Sequence, residues 1–207
     1  MNNNTRFLSS NKRYLKQVKR ETLQQRAKVI WFTGLSGAGK STLANELGKK
    51  LLDKSFLCTL LDGDSIRKGV NFDLGYNESD RKENIRRVSE ISKLFIDTGV
   101  IVISAFISPT EEIRNLAKEI IGKDNFIEIF VNTPLDVCEK RDVKGLYKKA
   151  RQGDLKNFTG ISSPFEPPLN SEINLDTNNK NVAECVDEIW DLVWSQIALL
   201  PKDQLAV

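Results

Sequence analysis

At 207 residues, 40% of them hydrophobic, the chain fits one domain that buries its own core, and no run approaches the roughly 18 apolar residues of a membrane-spanning helix. With 31 Lys and Arg against 28 Asp and Glu, eight of the basic residues falling in 1–28, charge makes no case for a nucleic acid or membrane partner. The absence of histidine excludes histidine-based nucleophilic sites, metal ligation and general bases; proton transfer falls to carboxylate, lysine, tyrosine or water, and metal binding to oxygen donors, which suits magnesium.

The elements follow in chain order. Ser10 to Arg26 predicts a polar helix whose few apolar contacts are Leu15, Val18 and Leu23. Val29 to Thr33 is a short apolar run ending at a glycine, the pattern of a strand buried on both faces. Ser41 to Leu52 carries Leu43, Ala44, Leu47, Leu51 and Leu52 at helical spacing. Phe56 to Leu61 predicts a second strand. Ser79 to Thr98 predicts a long helix with a core stripe of Ile85, Val88, Ile91, Leu94 and Phe95. Val100 to Ser104 predicts a third strand, Thr110 to Ile121 a helix stopped by Gly122, and Phe126 to Val131 a fourth strand. Leu135 to Arg141 predicts a short helix opened by Thr133-Pro134.

Residues 142–170 differ: rich in Lys, Arg, Gly and Pro, they carry no long apolar period, which predicts a functional loop that acts as a lid. Glu172 to Leu175 predicts a fifth strand, and Val182 to Leu200 a closing helix with Val186, Ile189, Trp190, Val193 and Ile197 on one side. The resulting plan is a basic helical extension (1–27), one domain (28–200) and a frayed tail (201–207). Alternating strands and helices predict an α/β fold, a parallel sheet with helices on both faces and ligands beyond the carboxyl ends of the strands.

Gly34-Leu35-Ser36-Gly37-Ala38-Gly39-Lys40-Ser41 matches the phosphate-loop pattern G-x-x-x-x-G-K-[ST], and lies between a predicted strand and a predicted helix as the motif requires. The glycines let backbone N–H groups turn inward on phosphate oxygens, and the following helix, continuing through Thr42, adds its positive end. Lys40 can reach the outer phosphates and Ser41 can ligate magnesium. This pattern predicts a P-loop NTPase fold and nucleoside triphosphate binding. It leaves the reaction open between phosphoryl transfer to a small metabolite and a non-enzymatic nucleotide-binding module.

The second strand ends in Leu61-Asp62-Gly63-Asp64, two carboxylates at the ligand edge of the sheet. Asp64 could hold or deprotonate an acceptor hydroxyl, either aspartate could act through magnesium-bound water, with Ser41 and Asp64 the expected metal ligands, and Asp64 could instead cap the helix that follows. Arg67, Arg81 and Asn84 lie downstream, the last two on one helical face, which suits an anionic second substrate. Ser108, just past the third strand, either touches substrate or caps the next helix.

Taken together, IWFTGLSGAGKST, LLDGDSIRKGVN, DLGY, DRKENIRRV, FISP, KGLYKKAR and NFTGI resemble the adenylylsulfate kinase family over roughly residues 15–195. The resemblance implies a five-stranded parallel sheet, ATP with magnesium, phosphorylation of adenosine 5′-phosphosulfate at its 3′-hydroxyl, and a homodimer. It implies that Asp64 is the base or hydroxyl-orienting group, that Asp62, Arg67, Arg81 and Asn84 bind the acceptor, and that Tyr76 and Phe158 stack its adenine with Ile107 between them. Lys144, Lys148 and Lys149 would close on nucleotide phosphates, and Ser108 matches a serine described in the family as a phosphorylated intermediate. Ser65, Lys68, Thr110 and Glu111 depart from the family pattern. Three widely spaced cysteines, Cys58, Cys138 and Cys185, and a start without an apolar run predict reduced thiols and a cytoplasmic location.

Overall fold

A computed structural model describes residues 17–199. Five strands form one parallel sheet: β1 (Val29–Thr33), β2 (Cys58–Asp62), β3 (Ile101–Ala105), β4 (Phe126–Asn132) and β5 (Ile173–Asp176), in the order β2-β3-β1-β4-β5. The helices are α1 (Lys40–Asp53), α2 (Gly63–Lys68), α3 (Glu78–Asp97), α4 (Glu111–Ile121), α5 (Leu135–Arg141), α6 (Leu146–Arg151) and α7 (Val182–Ile197). The α/β class and the parallel five-stranded sheet therefore stand as the sequence predicts.

Side chains alternate across β1 because successive Cβ atoms point to opposite faces. Ile30 and Phe32 join the core beneath α1 and α7, while Val29 and Trp31 join the core beneath α3 and α4. Trp31 stacks between Phe106 and Phe126, each at 5.5 Å. On the same face of β4, buried Glu128 faces Arg114 at 3.3 Å and Lys118 at 2.6 Å. A buried carboxylate needs such partners, since an unpaired charge there costs several kcal/mol; hydropathy gives no sign of it.

Three sequence expectations need correction. The stripe of α3 is Ile85, Val88, Ser89, Ser92 and Ile96, whereas Leu94 is 68% exposed and Phe95 lies at the surface. Two small serines face the core there, and a hydrophobic count cannot see them. Residues 142–170 are not all loop, because α6 lies within them. The helix after β2, expected only if Asp64 caps it, is present as α2 but is capped by Asp62.

Residues 17–23 are helical, and the rest of the predicted first helix, including Leu15, lies outside the described residues, as does the tail 201–207. Just past that helix, buried Gln25 donates to the carbonyls of Leu57 (2.9 Å) and Gly99 (2.7 Å) and accepts from the Leu57 N–H (2.8 Å). The Arg26 N–H donates to the Ile197 carbonyl at 2.7 Å.

Candidate active site

The phosphate loop runs from β1 into α1. Gly34 has φ +146°, and a Cβ there would meet the Val131 carbonyl oxygen at 2.6 Å, so only glycine passes β4 this closely. Gly39 caps α1 in the left-handed region with no side-chain cap. The first-turn N–H groups of Lys40, Ser41 and Thr42 thus have no intrahelical acceptor and are available to an anion.

The Lys40 ammonium donates to the carbonyls of Gly34 (3.0 Å) and Leu35 (2.7 Å). Burial, opposed by nearby acids, lowers its pKa to about 8. The loop is braced from behind. The Ala38 carbonyl accepts from Thr133 Oγ1 (3.0 Å), Thr177 Oγ1 (3.2 Å) and Arg141 (3.3 Å), and the Ser36 carbonyl accepts from the Tyr147 hydroxyl (2.9 Å).

At the end of β2 the two aspartates separate by task. Asp62 caps α2, its Oδ1 accepting from the Asp64 N–H at 3.0 Å. The cap is therefore Asp62, not Asp64: helix α2 starts at Gly63, two residues earlier than an Asp64 cap requires. Asp62 Oδ2 accepts from Ser41 Oγ at 2.6 Å, which joins the acidic turn directly to the phosphate loop. The exposed Asp64 carboxylate pairs instead with the Lys144 ammonium of the 142–170 segment. The predicted metal pair was Ser41 with Asp64; the structure brings Ser41 to Asp62. Two hard oxygens beside a phosphate loop fit magnesium, which takes only one or two protein oxygens when phosphates supply the rest. Among the described residues no cluster of three or more His, Cys, Asp or Glu side chains offers a fuller protein cage.

On the acceptor side, Arg67 donates to the carbonyls of Leu74 (3.2 Å) and Gly75 (2.7 Å) and lies 4.5 Å from the Tyr76 ring. Tyr76 is 64% exposed. Arg81 Nε donates to the Tyr76 carbonyl at 2.8 Å, and its two terminal nitrogens donate to Thr159 Oγ1 and the Asn157 carbonyl. Burial and the neighbouring Arg67 charge both lower the Arg81 pKa. Half-buried Phe158 stands edge-on to Tyr147 at 5.0 Å. Asn84 is buried, its Oδ1 accepting from Asn71 Nδ2 at 3.0 Å. The Ile107 carbonyl accepts from Thr33 Oγ1 (2.7 Å) and the Gly34 N–H (3.4 Å).

Ser108 is only 2% exposed, with φ +45°. Its hydroxyl accepts from Trp31 Nε1 at 2.9 Å and its carbonyl from Arg114 at 3.0 Å. It does not cap α4; Thr110 does. The structure thus gathers Arg67, Tyr76, Arg81 and the loop bearing Phe158, and turns the Ser108 hydroxyl into the core.

The model of the Adenylylsulphate kinase family matches residues 26–176. This chain belongs to the adenylylsulphate kinase family. An adenylyl-sulfate kinase of Bacteroides fragilis is 56% identical over 183 residues, covering 88% of this chain and 91% of its own. One from Clostridium acetobutylicum is 54% identical over 84% of this chain and 86% of its own. The solved APS kinase of Mycobacterium tuberculosis, in complex with AMPPNP and APS, superposes with a TM-score of 0.79 at 45% identity, covering 81% of this chain and 98% of that one. A Janibacter sugar kinase, 17% identical, shares the fold alone. The activity is that of adenylyl-sulfate kinases: ATP-dependent phosphoryl transfer to adenosine 5′-phosphosulfate, giving 3′-phosphoadenylyl sulfate and ADP.

In this adenylylsulphate kinase fold, Arg141, Thr177, Tyr147 and Thr159 brace the site, as does Thr133, which local pattern marks only as opening a helix. Of these, Tyr147 and Thr159 lie within the family-like motifs KGLYKKAR and NFTGI. Arg141 reaches the loop because α5 ends beside it, a placement no local pattern reveals.

Proposed function

We propose the following division of labour within the adenylyl-sulfate kinase reaction. ATP lies in the phosphate loop of residues 34–42, held by its free backbone N–H groups, those of Lys40, Ser41 and Thr42 among them, and by Lys40, which leaves the Gly34 and Leu35 carbonyls for phosphate oxygens. Ser41 and Asp62 would hold magnesium, which would neutralise phosphate charge. Asp64 orients the acceptor 3′-hydroxyl and takes its proton. Lys144, already beside Asp64, stabilises charge on the transferring group. Electrostatic preorganisation of this kind supplies most of the rate in phosphoryl transfer.

Tyr76 and Phe158 sandwich the acceptor adenine, Ile107 lies against it, and Arg67, Arg81 and Asn84 attend its phosphosulfate. The 142–170 segment serves as the lid. Ser108 has a holding role, because in-line transfer needs no covalent enzyme step and its hydroxyl is engaged in the core. A homodimer rests on the family resemblance. A cytoplasmic location is supported by three free thiols, two of them buried, and is compatible with a chain in which no described helix is long and apolar enough to cross a membrane.

The single observation that carries this reading is the 2.6 Å bond from Ser41 to Asp62, which puts the acidic turn against the cradle. Asp64→Asn is the test. Turnover falls by about 10³-fold, the range for loss of a general base, while the ATP dissociation constant stays within threefold. Turnover within tenfold of the parent chain would overturn the role of Asp64.

A further inference from the structure

The guanidinium of Arg81 spends its donors in an unusual way. An arginine has five N–H donors in a rigid planar fork. Here Nε goes to the carbonyl of Tyr76, one terminal nitrogen to the hydroxyl of Thr159, and the other to the carbonyl of Asn157. Residues 157 and 159 flank Phe158. One rigid plane therefore bridges the backbone of one aromatic residue to both neighbours of the other.

The far loop is held from its other side as well. The Phe158 N–H donates to Ser162 Oγ at 2.9 Å, and its carbonyl accepts from the N–H groups of Ile161, Ser162 and Ser163. Asn157 has φ +57° and Gly160 φ +89°, so the loop makes a tight turn on both sides of the ring. Thr159 is 2% exposed, and its hydroxyl is the one side-chain acceptor in the Arg81 bridge. Tyr76 stays 64% exposed, with Arg67 on its ring.

We propose that Thr159 is a positioning residue for the acceptor nucleotide: with Arg81 it forms a spacer that sets the separation and tilt of the Tyr76 and Phe158 rings. The inference rests on the reading that these rings stack the acceptor purine. Two aromatic planes bind a flat base well only at one spacing, and a slot held open in advance avoids the cost of ordering two loops. The fork still has N–H donors left for an anion, so spacing and anion binding are compatible in one side chain. The specificity follows: a planar purine is selected by slot width, apart from any charge it carries.

The test is Thr159→Val, which keeps the shape and removes the hydroxyl, with Thr159→Ala as a second variant should valine impair folding. Loss of a charge-assisted hydrogen bond raises the KM for adenosine 5′-phosphosulfate about tenfold, with the KM for ATP within twofold and kcat within threefold. Thr159→Ser restores the parent values. Uncharged adenosine, used as a competitive inhibitor, loses affinity by the same factor, because it reads the slot without the anion site.

Phe158→Ala is measured alongside. If it leaves the acceptor KM unchanged, the stacking reading fails and this inference falls with it. If it raises that KM while Thr159→Val does not, the spacer alone is overturned. Equal rises in both substrates' KM, or an unchanged adenosine inhibition constant, also overturn it.

Discussion

The hydroxyl of Tyr147 donates to the carbonyl oxygen of Ser36 over 2.9 Å, tying α6 to the phosphate loop. Burial pushes the Tyr147 phenol above its ordinary range, so it stays a protonated donor at any working pH. Tyr147→Phe removes this tie and little else. The expected loss is about 1 kcal/mol, read as roughly fivefold weaker ATP binding by calorimetry. ATP affinity equal to the parent chain would show that the bond does not brace the loop.

Lys40 sets a proton linkage. Its pKa is about 8 in the free protein because burial disfavours the ammonium. Its unfolded pKa is higher, so between the two values the unfolded chain binds more protons and this residue's contribution to stability rises with pH. Phosphate oxygens favour the charged form and raise the pKa again. At pH 8.5, ATP binding should therefore take up protons, measured as a dependence of binding enthalpy on the buffer's ionisation enthalpy. Lys40→Met should abolish that dependence; persistence of it would assign the proton elsewhere.

Asp62 and Asp64 should separate kinetically. Asp62 holds Ser41 and caps α2, whereas Asp64 pairs with Lys144. Asp62→Asn keeps a capping oxygen but loses charge. The magnesium concentration for half-maximal rate should rise by about tenfold or more, with substantial turnover recovered at high magnesium. A variant dead at every magnesium concentration would place the essential base at Asp62.

Ser108→Ala should keep turnover within about threefold. The hydroxyl only accepts from Trp31, and its loss leaves one indole N–H unpaired, a cost of about 1–3 kcal/mol seen as a lower Tm. A collapse of turnover at unchanged Tm would restore Ser108 to the chemistry.

The sequence makes the inner strands β1, β3 and β4 legible because each is a short, nearly all-apolar run buried on both faces, whereas the edge strands β2 and β5 are only partly buried. The phosphate loop is legible because its glycines answer a steric demand, as Gly34 beneath the Val131 carbonyl shows. Other features depend on contacts between distant segments. Ser89 and Ser92 face the core where small residues allow close approach, so the α3 stripe is misread from hydropathy. The choice between Asp62 and Asp64 as cap turns on a two-residue shift in a helix start, finer than periodicity resolves. The reach of Arg141 to Ala38 and of Arg81 to Thr159 joins residues far apart in the chain. Asp64 is legible as an acid at the sheet edge, but its pairing with Lys144, 80 residues away, is not: the resemblance places Lys144 on nucleotide phosphates and no local spacing joins the two.

Gln25 fastens the amino ends of β2 and β3, the edge opposite the chemistry. Losing that amide would strand the Leu57 and Gly99 carbonyls far from either substrate. Wear at this seam should shorten the working life of the enzyme while each surviving molecule turns over at full speed. Longevity and catalytic speed are thus stored at opposite rims of one sheet, and can be tuned separately.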